Sequence, residues 1–247
     1  MIVLSISNHK GGVGKTTSVV NIGAGLAMQG KKVLLIDTDP QANLSQSLGV
    51  EDAEKSVYNA LKGEIDLPIV EVESNLFLVP SNLDLAAAEV ELSSRISRET
   101  ILRKLIDKVK NNFDFVLIDC PPSLGLITIN AFAASDKVLI PLQSEYLAMR
   151  GMDKLTDFIG LVQQNINPTL SLGGVFITQY DSRKVLNRDI SQSVKQTFGE
   201  DKFFDTVIRE NVSLAEAPAV GQSIFKYAPK SNGAIDYTNL VTEILNK

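Results

Sequence analysis

The sequence predicts an α/β fold with a doubly wound, mostly parallel sheet and helices on both of its faces. Short runs of Val, Ile and Leu recur along the 247 residues, and segments with helical patterns separate them. Within the runs, such as residues 33–36 and 115–118, apolar side chains occupy consecutive positions rather than alternate ones. Consecutive apolar positions are typical of parallel strands that are covered on both faces. The alternation of such strands with helices indicates the doubly wound arrangement.

Seven strands and five helices follow from this pattern. The predicted strands are residues 2–7, 32–38, 76–80, 113–119, 137–142, 174–178 and 203–208. The predicted helices are residues 16–29, 98–110, 149–164, 187–198 and 234–245. Gly30 stands directly after the first of these helices, where a glycine commonly ends a helix. The sequence contains no internal repeat and no linker rich in Pro, Gly or Ser, so we expect a single domain over residues 1–247.

The composition is that of an ordinary globular protein, and it excludes several kinds of site. The formal net charge is −5, so nucleic-acid binding requires a local basic patch. The single cysteine, Cys120, and the single histidine, His9, exclude internal disulfides, a cysteine-rich zinc site and a Ser-His-Asp triad. No base lies near Cys120 in the sequence, so we interpret it as a small apolar residue. The absence of a long apolar run and of a cationic N-terminal region predicts a cytoplasmic protein.

A glycine-rich loop follows the first predicted strand and leads into the first predicted helix. Its sequence, NHKGGVGKTT, contains Gly11, Gly12 and Gly14, which allow backbone N–H groups to approach phosphate oxygens. The N-terminus of the helix points its N–H groups and its dipole at the same anion. Lys15 supplies a positive charge to the β- and γ-phosphates, and the Thr16 hydroxyl is able to ligate Mg²⁺. The alternative is a tight strand–helix turn that merely happens to be glycine-rich.

The loop departs from the standard pattern G-x-x-x-x-G-K-[ST], because His9 stands where the first glycine belongs and Lys10 adds a second lysine. The segment KGGVGKTT resembles the deviant Walker A motif of the ParA/MinD family of P-loop ATPases. The resemblance implies ATP hydrolysis, with ATP and Mg²⁺ as cofactors and an ATP-dependent homodimer. It also implies that Lys10 reaches across the dimer to the phosphates of the other subunit, whereas the residues alone leave a solvent-facing Lys10 open. The nucleotide-binding residues implied by the motif are Lys10, Gly11, Gly12, Val13, Gly14, Lys15, Thr16 and Thr17.

Two predicted strands end in aspartates, at the edge where ligands bind in an open α/β sheet. Asp37 and Asp39 belong to the sequence DTDPQ, and Asp119 closes the strand over 113–119. Buried carboxylates are costly unless they serve a cation or a reacting proton. The resemblance identifies Asp119 as the Walker B residue that holds Mg²⁺ with Thr16, and it places Asp37 near the same ion. Asp39 would orient the attacking water, so the catalytic residues implied are Lys10, Lys15 and Asp39. In the alternative interpretation, Asp37 and Asp39 only cap the next helix or turn.

The resemblance extends over nearly the whole chain. The segments DCPPSLGLITIN and NVSLAEAP are similar to those of the ParA or Soj ATPases that partition chromosomes and plasmids. This implies DNA segregation, in which an ATP-bound dimer binds nucleoid DNA without sequence preference until a ParB-type partner stimulates hydrolysis. The last predicted helix ends with a single cation, so we expect no membrane anchor. Two alternatives stay open: a switch that recruits a protein cargo to a pole or membrane without DNA binding, and an ATP-dependent synthetase or transferase.

The C-terminal third contains the candidates for DNA contacts. Residues 183–230 include eight basic and six acidic residues, whereas the net charge of the whole chain is −5. Family members often read IPRNVRLSEAP where this chain has IRENVSLAEAP, so two basic positions have become Glu210 and Ser213. The expected DNA-contacting residues are therefore Arg209, Lys226 and Lys230. The same segment closes over the adenine base in the family, which implies base-side contacts from the Arg209 backbone and from Asn211.

Overall fold

The computed structural model describes residues 1–143, 148–181, 183 and 199–247 and contains an eight-stranded sheet. The strands are β1 (Ile2–Ile6), β2 (Val33–Asp37), β3 (Val70–Glu73), β4 (Leu76–Val79), β5 (Phe115–Asp119), β6 (Lys137–Gln143), β7 (Ser171–Tyr180) and β8 (Phe203–Arg209). Their order in the sheet is β3-β4-β2-β5-β1-β6-β7-β8. Every neighbouring pair is parallel except β3 and β4, which are antiparallel.

Helices cover both faces of this sheet. They are α1 (Lys15–Met28), α2 (Asn43–Ser47), α3 (Val57–Leu61), α4 (Ala88–Glu91), α5 (Ile101–Asp107), α6 (Leu126–Ala134), α7 (Ala148–Asn165), α8 (Val212–Glu216), α9 (Ile224–Tyr227) and α10 (Asn232–Asn246). Buried side chains of α3 to α7 pack on one face of the sheet. Those of α1, α2, α9 and α10 pack on the other. The prediction of a doubly wound, mostly parallel sheet is therefore confirmed.

The predicted strands are all present, with ends that differ from the prediction by up to three residues. The prediction missed β3, whose sequence VEVE alternates apolar and acidic residues at the exposed edge of the sheet. Continuous apolar runs indicate only strands that are buried on both faces, so they do not detect such an edge strand. The helix predicted over 98–110 is a 3₁₀ turn followed by α5. The helices predicted over 16–29, 149–164 and 234–245 correspond to α1, α7 and α10, and the one over 187–198 lies outside the described residues.

The order of the strands brings three strand ends together. Because β5 lies between β1 and β2, Asp119 at the end of β5 is in register with Ile6 on β1 and with Asp37 on β2. The glycine-rich loop leaves β1 at the same edge and leads directly into α1. Ligands of open α/β sheets bind outside the carboxyl ends of the strands, so this edge is the candidate site.

Within the part of the chain that the structure describes, no helix is both long enough and apolar enough to cross a membrane.

Candidate nucleotide-binding site

The glycine-rich loop bends sharply between β1 and α1. Gly12 and Gly14 have φ angles of +73° and +81°, a left-handed conformation that glycine adopts without the steric cost other residues meet. Gly14 directly precedes α1, whose first N–H groups have no acceptor inside the helix. The loop lines a cavity of about 660 Å³. A cavity of this kind beside the N–H groups of a helix N-terminus suits a chain of phosphates.

The two lysines of the loop take different directions. Lys15 is buried, and its Nζ donates a hydrogen bond to the backbone oxygen of Lys10 at 3.1 Å. Burial lowers the pKa of Lys15, and the neighbouring Asp119 carboxylate opposes this shift. The Nζ of Lys10 donates instead to the side-chain oxygen of Gln143 at 3.3 Å, at the end of β6. Lys15 thus lines the cavity formed by its own loop, whereas the ammonium of Lys10 is directed at a different strand end.

Side chains from the ends of β6 and β7 hold the loop in place. Gln179 donates to the backbone oxygen of Gly12 at 2.7 Å, and Thr178 donates to that of Val13 at 2.9 Å. Gln143 in turn donates to the side-chain oxygen of Gln179 at 2.7 Å. Sequence analysis did not identify these three residues. The only signal for them was the presence of polar side chains at the ends of otherwise apolar strands.

Asp119 has one satisfied and one unsatisfied oxygen at the floor of the site. Its Oδ2 accepts a hydrogen bond from the Thr16 hydroxyl at 2.7 Å, while its Oδ1 is buried without a hydrogen-bond partner. Burial raises the pKa of Asp119 well above its usual value, and the facing Asp37 raises it further. An unsatisfied buried carboxylate oxygen beside a hydroxyl fits Mg²⁺, which prefers oxygen ligands. The described residues contain no group of three or more His, Cys, Asp or Glu suited to enclose a metal.

Asp37 is fully buried, and both of its carboxylate oxygens accept hydrogen bonds. Its Oδ2 accepts from the backbone N–H and the hydroxyl of Ser45, at 2.9 and 2.7 Å. Its Oδ1 accepts from the backbone N–H of Asp39 at 3.1 Å. Burial raises the pKa of Asp37 to about 6, and the bonds from Ser45 oppose this shift. Asp37 thus lies opposite Asp119, which is the position expected of a residue near Mg²⁺. It also accepts the first N–H of the turn that contains Asp39. Its role toward the metal stays a prediction.

Asp39 is the carboxylate that lines the phosphate cavity from the β2 side. Its side chain is partly exposed, and its Oδ1 accepts a hydrogen bond from the backbone N–H of Gln41 at 2.9 Å. Pro122, from the loop after β5, lines the same cavity. This position suits the predicted task of orienting a water molecule toward a bound phosphate, and that task stays a prediction.

A second cavity, of about 330 Å³, adjoins the first. The residues that line both cavities are Gly14, Thr17 and Gln179. Apolar side chains, including Val212 and Leu214, make up much of the second wall, and Arg209 and Asn211 also line it. An apolar cavity with a few polar groups suits a nucleotide base. The two adjoining cavities therefore suit one nucleotide, with its phosphates in the first and its base in the second, and this placement stays a prediction.

Arg209 and Asn211 each have a structural task beside this second cavity. The backbone N–H of Arg209 donates to Asp236 at 3.0 Å, and its guanidinium forms an ion pair with the same carboxylate at 2.6 Å. A base contact through the Arg209 backbone would therefore fall to its carbonyl oxygen. The side chain of Asn211 caps α8 by accepting a hydrogen bond from Ser213 N at 2.9 Å.

Comparison with known proteins identifies the family of the chain. The chain matches the AAA domain family over residues 1–172. It is 46% identical over 247 residues to the sporulation initiation inhibitor protein Soj of Bacillus subtilis, covering 98% of this chain and 97% of that protein. It is 46% identical over 241 residues to the chromosome-partitioning ATPase Soj of Treponema pallidum, covering 96% of this chain and 94% of that protein. The chain belongs to the Soj/ParA family of partition ATPases.

A solved structure extends the likeness of this Soj/ParA chain to a nucleotide complex. The crystal structure of cobyrinic acid a,c-diamide synthase from Mycobacterium smegmatis has 38% sequence identity and a TM-score of 0.88. The match covers 100% of this chain and 95% of that chain. That structure contains a bound ATP analog and magnesium.

The predicted DNA-contacting residues of the Soj/ParA chain lie on its surface. Lys226 and Lys230 are exposed, and the Nζ of Lys226 lies 3.7 Å from a carboxylate oxygen of Glu73. The Arg209 side chain is 42% exposed and forms an ion pair with Asp236. Acidic partners weaken the positive field of two of the three candidates. Their contact with DNA stays a prediction.

Proposed function

We propose that this Soj/ParA-family ATPase segregates DNA, and that its ATP-bound form is a dimer with two nucleotides between the subunits. The observation that carries the proposal is the different direction of the two lysines on one loop. The ammonium of Lys15 turns back onto the loop, while that of Lys10 reaches Gln143 at the end of β6. Lys15 neutralises the nucleotide of its own subunit, and Lys10 serves the nucleotide of the other subunit.

The hydrolytic chemistry follows from the residues around the phosphate cavity. Bound Mg²⁺, held by the Thr16 hydroxyl and the free oxygen of Asp119, would neutralise charge on the β- and γ-phosphates. The N–H groups at the start of α1 and the ammonium of Lys15 stabilise the same charge. Asp39 orients the attacking water from the opposite wall. A ParB-type partner accelerates this step and thereby returns the protein to the monomer.

DNA binding follows from dimerisation. Each subunit contributes Arg209, Lys226 and Lys230, so the dimer presents two copies of a basic surface that a monomer presents once. Phosphate contacts add within the dimer, and binding becomes dependent on ATP and sensitive to salt. The protein is then located in the cytoplasm, on nucleoid DNA, for as long as ATP remains unhydrolysed.

The decisive experiment measures binding to DNA of arbitrary sequence with ATP or ADP, at low and high salt. We expect binding with ATP only, and a loss of about 10³-fold between about 50 and 200 mM salt if about six phosphates are contacted per dimer. Lys226→Ala should lower the slope of log affinity against log salt by about 2, because each dimer loses two contacts.

A matched control for Lys226 is Lys108, because the two side chains are 60% and 59% exposed and each faces a carboxylate. Lys108→Ala should leave the salt slope unchanged. Absence of ATP-dependent DNA binding would contradict the proposal and favour the switch that recruits a protein cargo. Stimulation of ATP turnover by an added ParB-type protein tests the partner separately.

A synthase activity is the second candidate, because the related structure from Mycobacterium smegmatis is that of a cobyrinic acid a,c-diamide synthase. A synthase that takes ammonia from glutamine needs an activated thiol. The single cysteine of the chain, Cys120, is buried, and burial raises its pKa to about 12. We therefore expect no increase in ADP release when cobyrinic acid and glutamine are added. An increase would favour the synthase.

A further inference from the structure

The hydroxyl of Ser45 lies between the end of β4 and the buried Asp37. Ser45 is in α2 and is 1% exposed. Its Oγ is 2.7 Å from the Oδ2 of Asp37 and accepts a hydrogen bond from the backbone N–H of Ser81 at 3.0 Å. Ser81 is the second residue after β4, which neighbours β2 in the sheet. The hydroxyl thus joins two adjacent strand ends from inside the fold.

The surrounding groups determine where the hydroxyl proton of Ser45 points. A backbone N–H can only donate, so the oxygen of Ser45 accepts from Ser81 and directs its own proton to Asp37. The backbone N–H of Ser45 donates to the same carboxylate oxygen at 2.9 Å. The other oxygen of Asp37 receives the N–H of Asp39 at 3.1 Å. Asp37 is therefore held by three donors, and one of them is the backbone of Asp39.

The Asp39 turn is short and is closed by few bonds. The carbonyl oxygen of Asp39 accepts a hydrogen bond from Ala42 N at 3.0 Å, and its side chain accepts one from Gln41 N at 2.9 Å. Ala42 then adopts a left-handed φ of +54° immediately before α2. The position of the Asp39 carboxylate in the phosphate cavity therefore depends on Asp37, which anchors the first N–H of the turn, and on Ser45, which anchors Asp37.

We propose that Ser45 is a positioning residue for ATP hydrolysis, which acts by holding Asp37 and through it the turn that presents Asp39 to the bound nucleotide. This inference rests on the proposed role of Asp39 and deepens it. Ser45 does not line the phosphate cavity, so it does not touch the nucleotide. Loss of its hydroxyl leaves the Asp37 carboxylate with fewer donors and lets the turn shift. A small misplacement of a water-orienting group slows the chemical step more than it weakens binding.

The test measures ATP turnover and ATP affinity separately, with no DNA and no partner protein present. Ser45→Ala should lower kcat by about tenfold, the scale on which a partner that orients a site residue acts, and should leave the Kd for ATP within about twofold. Ser45→Thr, which keeps a hydroxyl, should restore much of kcat. In an Asp39→Ala background, Ser45→Ala should cause no further loss, because its effect passes through Asp39.

Ser135→Ala serves as the control for the loss of a buried hydroxyl. Ser135 is 2% exposed, bonds Ser5 and the carbonyl oxygen of Ala131, and lies before β6 at the opposite edge of the sheet. It should lower Tm without changing kcat or Kd. If Ser45→Ala fails to fold, Ser45→Cys, with its weaker donor, is measured in its place and the same loss of kcat is expected.

Three outcomes overturn the inference. The first is an unchanged kcat in the folded Ser45 variant, and the second is a loss confined to ATP affinity. The third is a loss of kcat from Ser45→Ala that is as large in the Asp39→Ala background as in the unchanged protein. If Asp39→Ala itself retains full turnover, it is the proposed catalytic role of Asp39 that fails. If Asp39→Ala loses turnover and Ser45→Ala does not, only the positioning role of Ser45 fails.

Discussion

Asp37 and Asp119 face each other at the ends of adjacent strands, and neither is exposed to solvent. Burial raises the pKa of both carboxylates, and the charge of Asp37 raises that of Asp119 further. Such a pair weakens the nucleotide-free fold. Mg²⁺ bound at Asp119, as proposed, would relieve this repulsion when the nucleotide binds.

Asp119→Asn should therefore stabilise the nucleotide-free protein and weaken binding of Mg-ATP. If removal of one buried charge raises the free energy of unfolding by about 1 kcal/mol, Tm should rise by about 2–4 °C in a chain of this size. The side-chain oxygen of asparagine still accepts the bond from Thr16. Calorimetry with ATP and Mg²⁺ should show weaker binding, and a variant with undiminished Mg²⁺-dependent affinity would exclude Asp119 from the metal site.

The same pair predicts a pH dependence. Burial raises the pKa of Asp37 to about 6, against a usual value of 3.8, so between these values the folded state holds more protons than the unfolded state. The destabilisation is therefore complete above about pH 6 and is relieved as the pH falls toward about 4. The gain in Tm from Asp119→Asn should be larger at about pH 7.5 than at about pH 5. An equal gain at both values would contradict the burial of a charged carboxylate as its cause.

Asp39→Ala separates binding from hydrolysis. The Kd for ATP should change little, because Asp39 faces the cavity without supplying positive charge to the phosphates. Turnover should fall by about 10²-fold or more, the usual scale for loss of a group that activates water. Stopped hydrolysis should trap the ATP dimer, which size-exclusion chromatography detects. Unchanged turnover, or a monomer only, would remove Asp39 from the catalytic role.

At the scale of residues, the sequence predicted the residues that belong to a motif. It did not predict the residues that hydrogen-bond to the motif and keep it in place. Lys15, Thr16 and Asp119 follow from the glycine-rich loop and the acidic strand end. Gln179 does not, because it bonds the loop 167 residues earlier in the chain. Ser45 does not, because no motif marks its bond to Asp37 eight residues away, and its other partner, Ser81, follows a different strand. Contacts of that kind become visible only once the strand order is known.

At the scale of elements, the phosphate loop is shaped by its own glycines and fixed by β7. Gln179 and Thr178 are not part of the motif. Their side chains nevertheless donate hydrogen bonds to two consecutive carbonyl oxygens of the loop. These bonds satisfy the carbonyl oxygens of Gly12 and Val13 and fix their directions. The loop is therefore partly organised before nucleotide binds, which lowers the entropic cost of binding.

Gln179→Ala should weaken binding of ADP and ATP by about fivefold, which corresponds to about 1 kcal/mol for one lost hydrogen bond. Because ADP and ATP contact the same loop, the two affinities should fall together. Gln163→Ala is the control, since Gln163 also donates to a backbone carbonyl oxygen, that of Leu170 at 2.9 Å, away from the loop. Calorimetry that finds unchanged ADP affinity in Gln179→Ala would show that the loop needs no support from β7.

The elements that sequence predicted best are those whose pattern is set by burial on both sides. The sequences of β2 and β5 are apolar throughout except for the terminal aspartate, and both strands are wholly buried. Prediction failed where burial is one-sided or the segment is short. The edge strand β3 is largely exposed, and α2, α3 and α8 each have five residues, too few to show a helical period.

At the scale of the whole molecule, the described residues of one chain leave the phosphate cavity open on one side. The phosphate cavity is walled by the loop, the Asp39 turn and Pro122. Lys10 points across toward Gln143 rather than into this cavity. In the proposed ATP dimer, a second subunit against this edge would close the cavity and supply its Lys10, and the two facing triphosphates would need such cations.

Lys10→Ala should therefore act differently from Lys15→Ala. The Lys10 variant should bind ADP as the unchanged protein does, because Lys15, Thr16 and the amides of the loop remain. It should fail to dimerise with ATP, since the facing triphosphates lose their neutralising charges, and ATP-dependent DNA binding should fall with it. Lys15→Ala should lose both ADP and ATP, because the backbone amides cannot replace its charge.

Calorimetry with ADP and light scattering with ATP distinguish the two variants in one preparation. Retained ADP affinity together with a monomer in ATP is the signature of a lysine that acts between subunits. If the Lys10 variant dimerises normally with ATP, the residue belongs to the surface and the dimer forms without it. If it loses ADP binding as Lys15→Ala does, Lys10 serves the nucleotide of its own subunit.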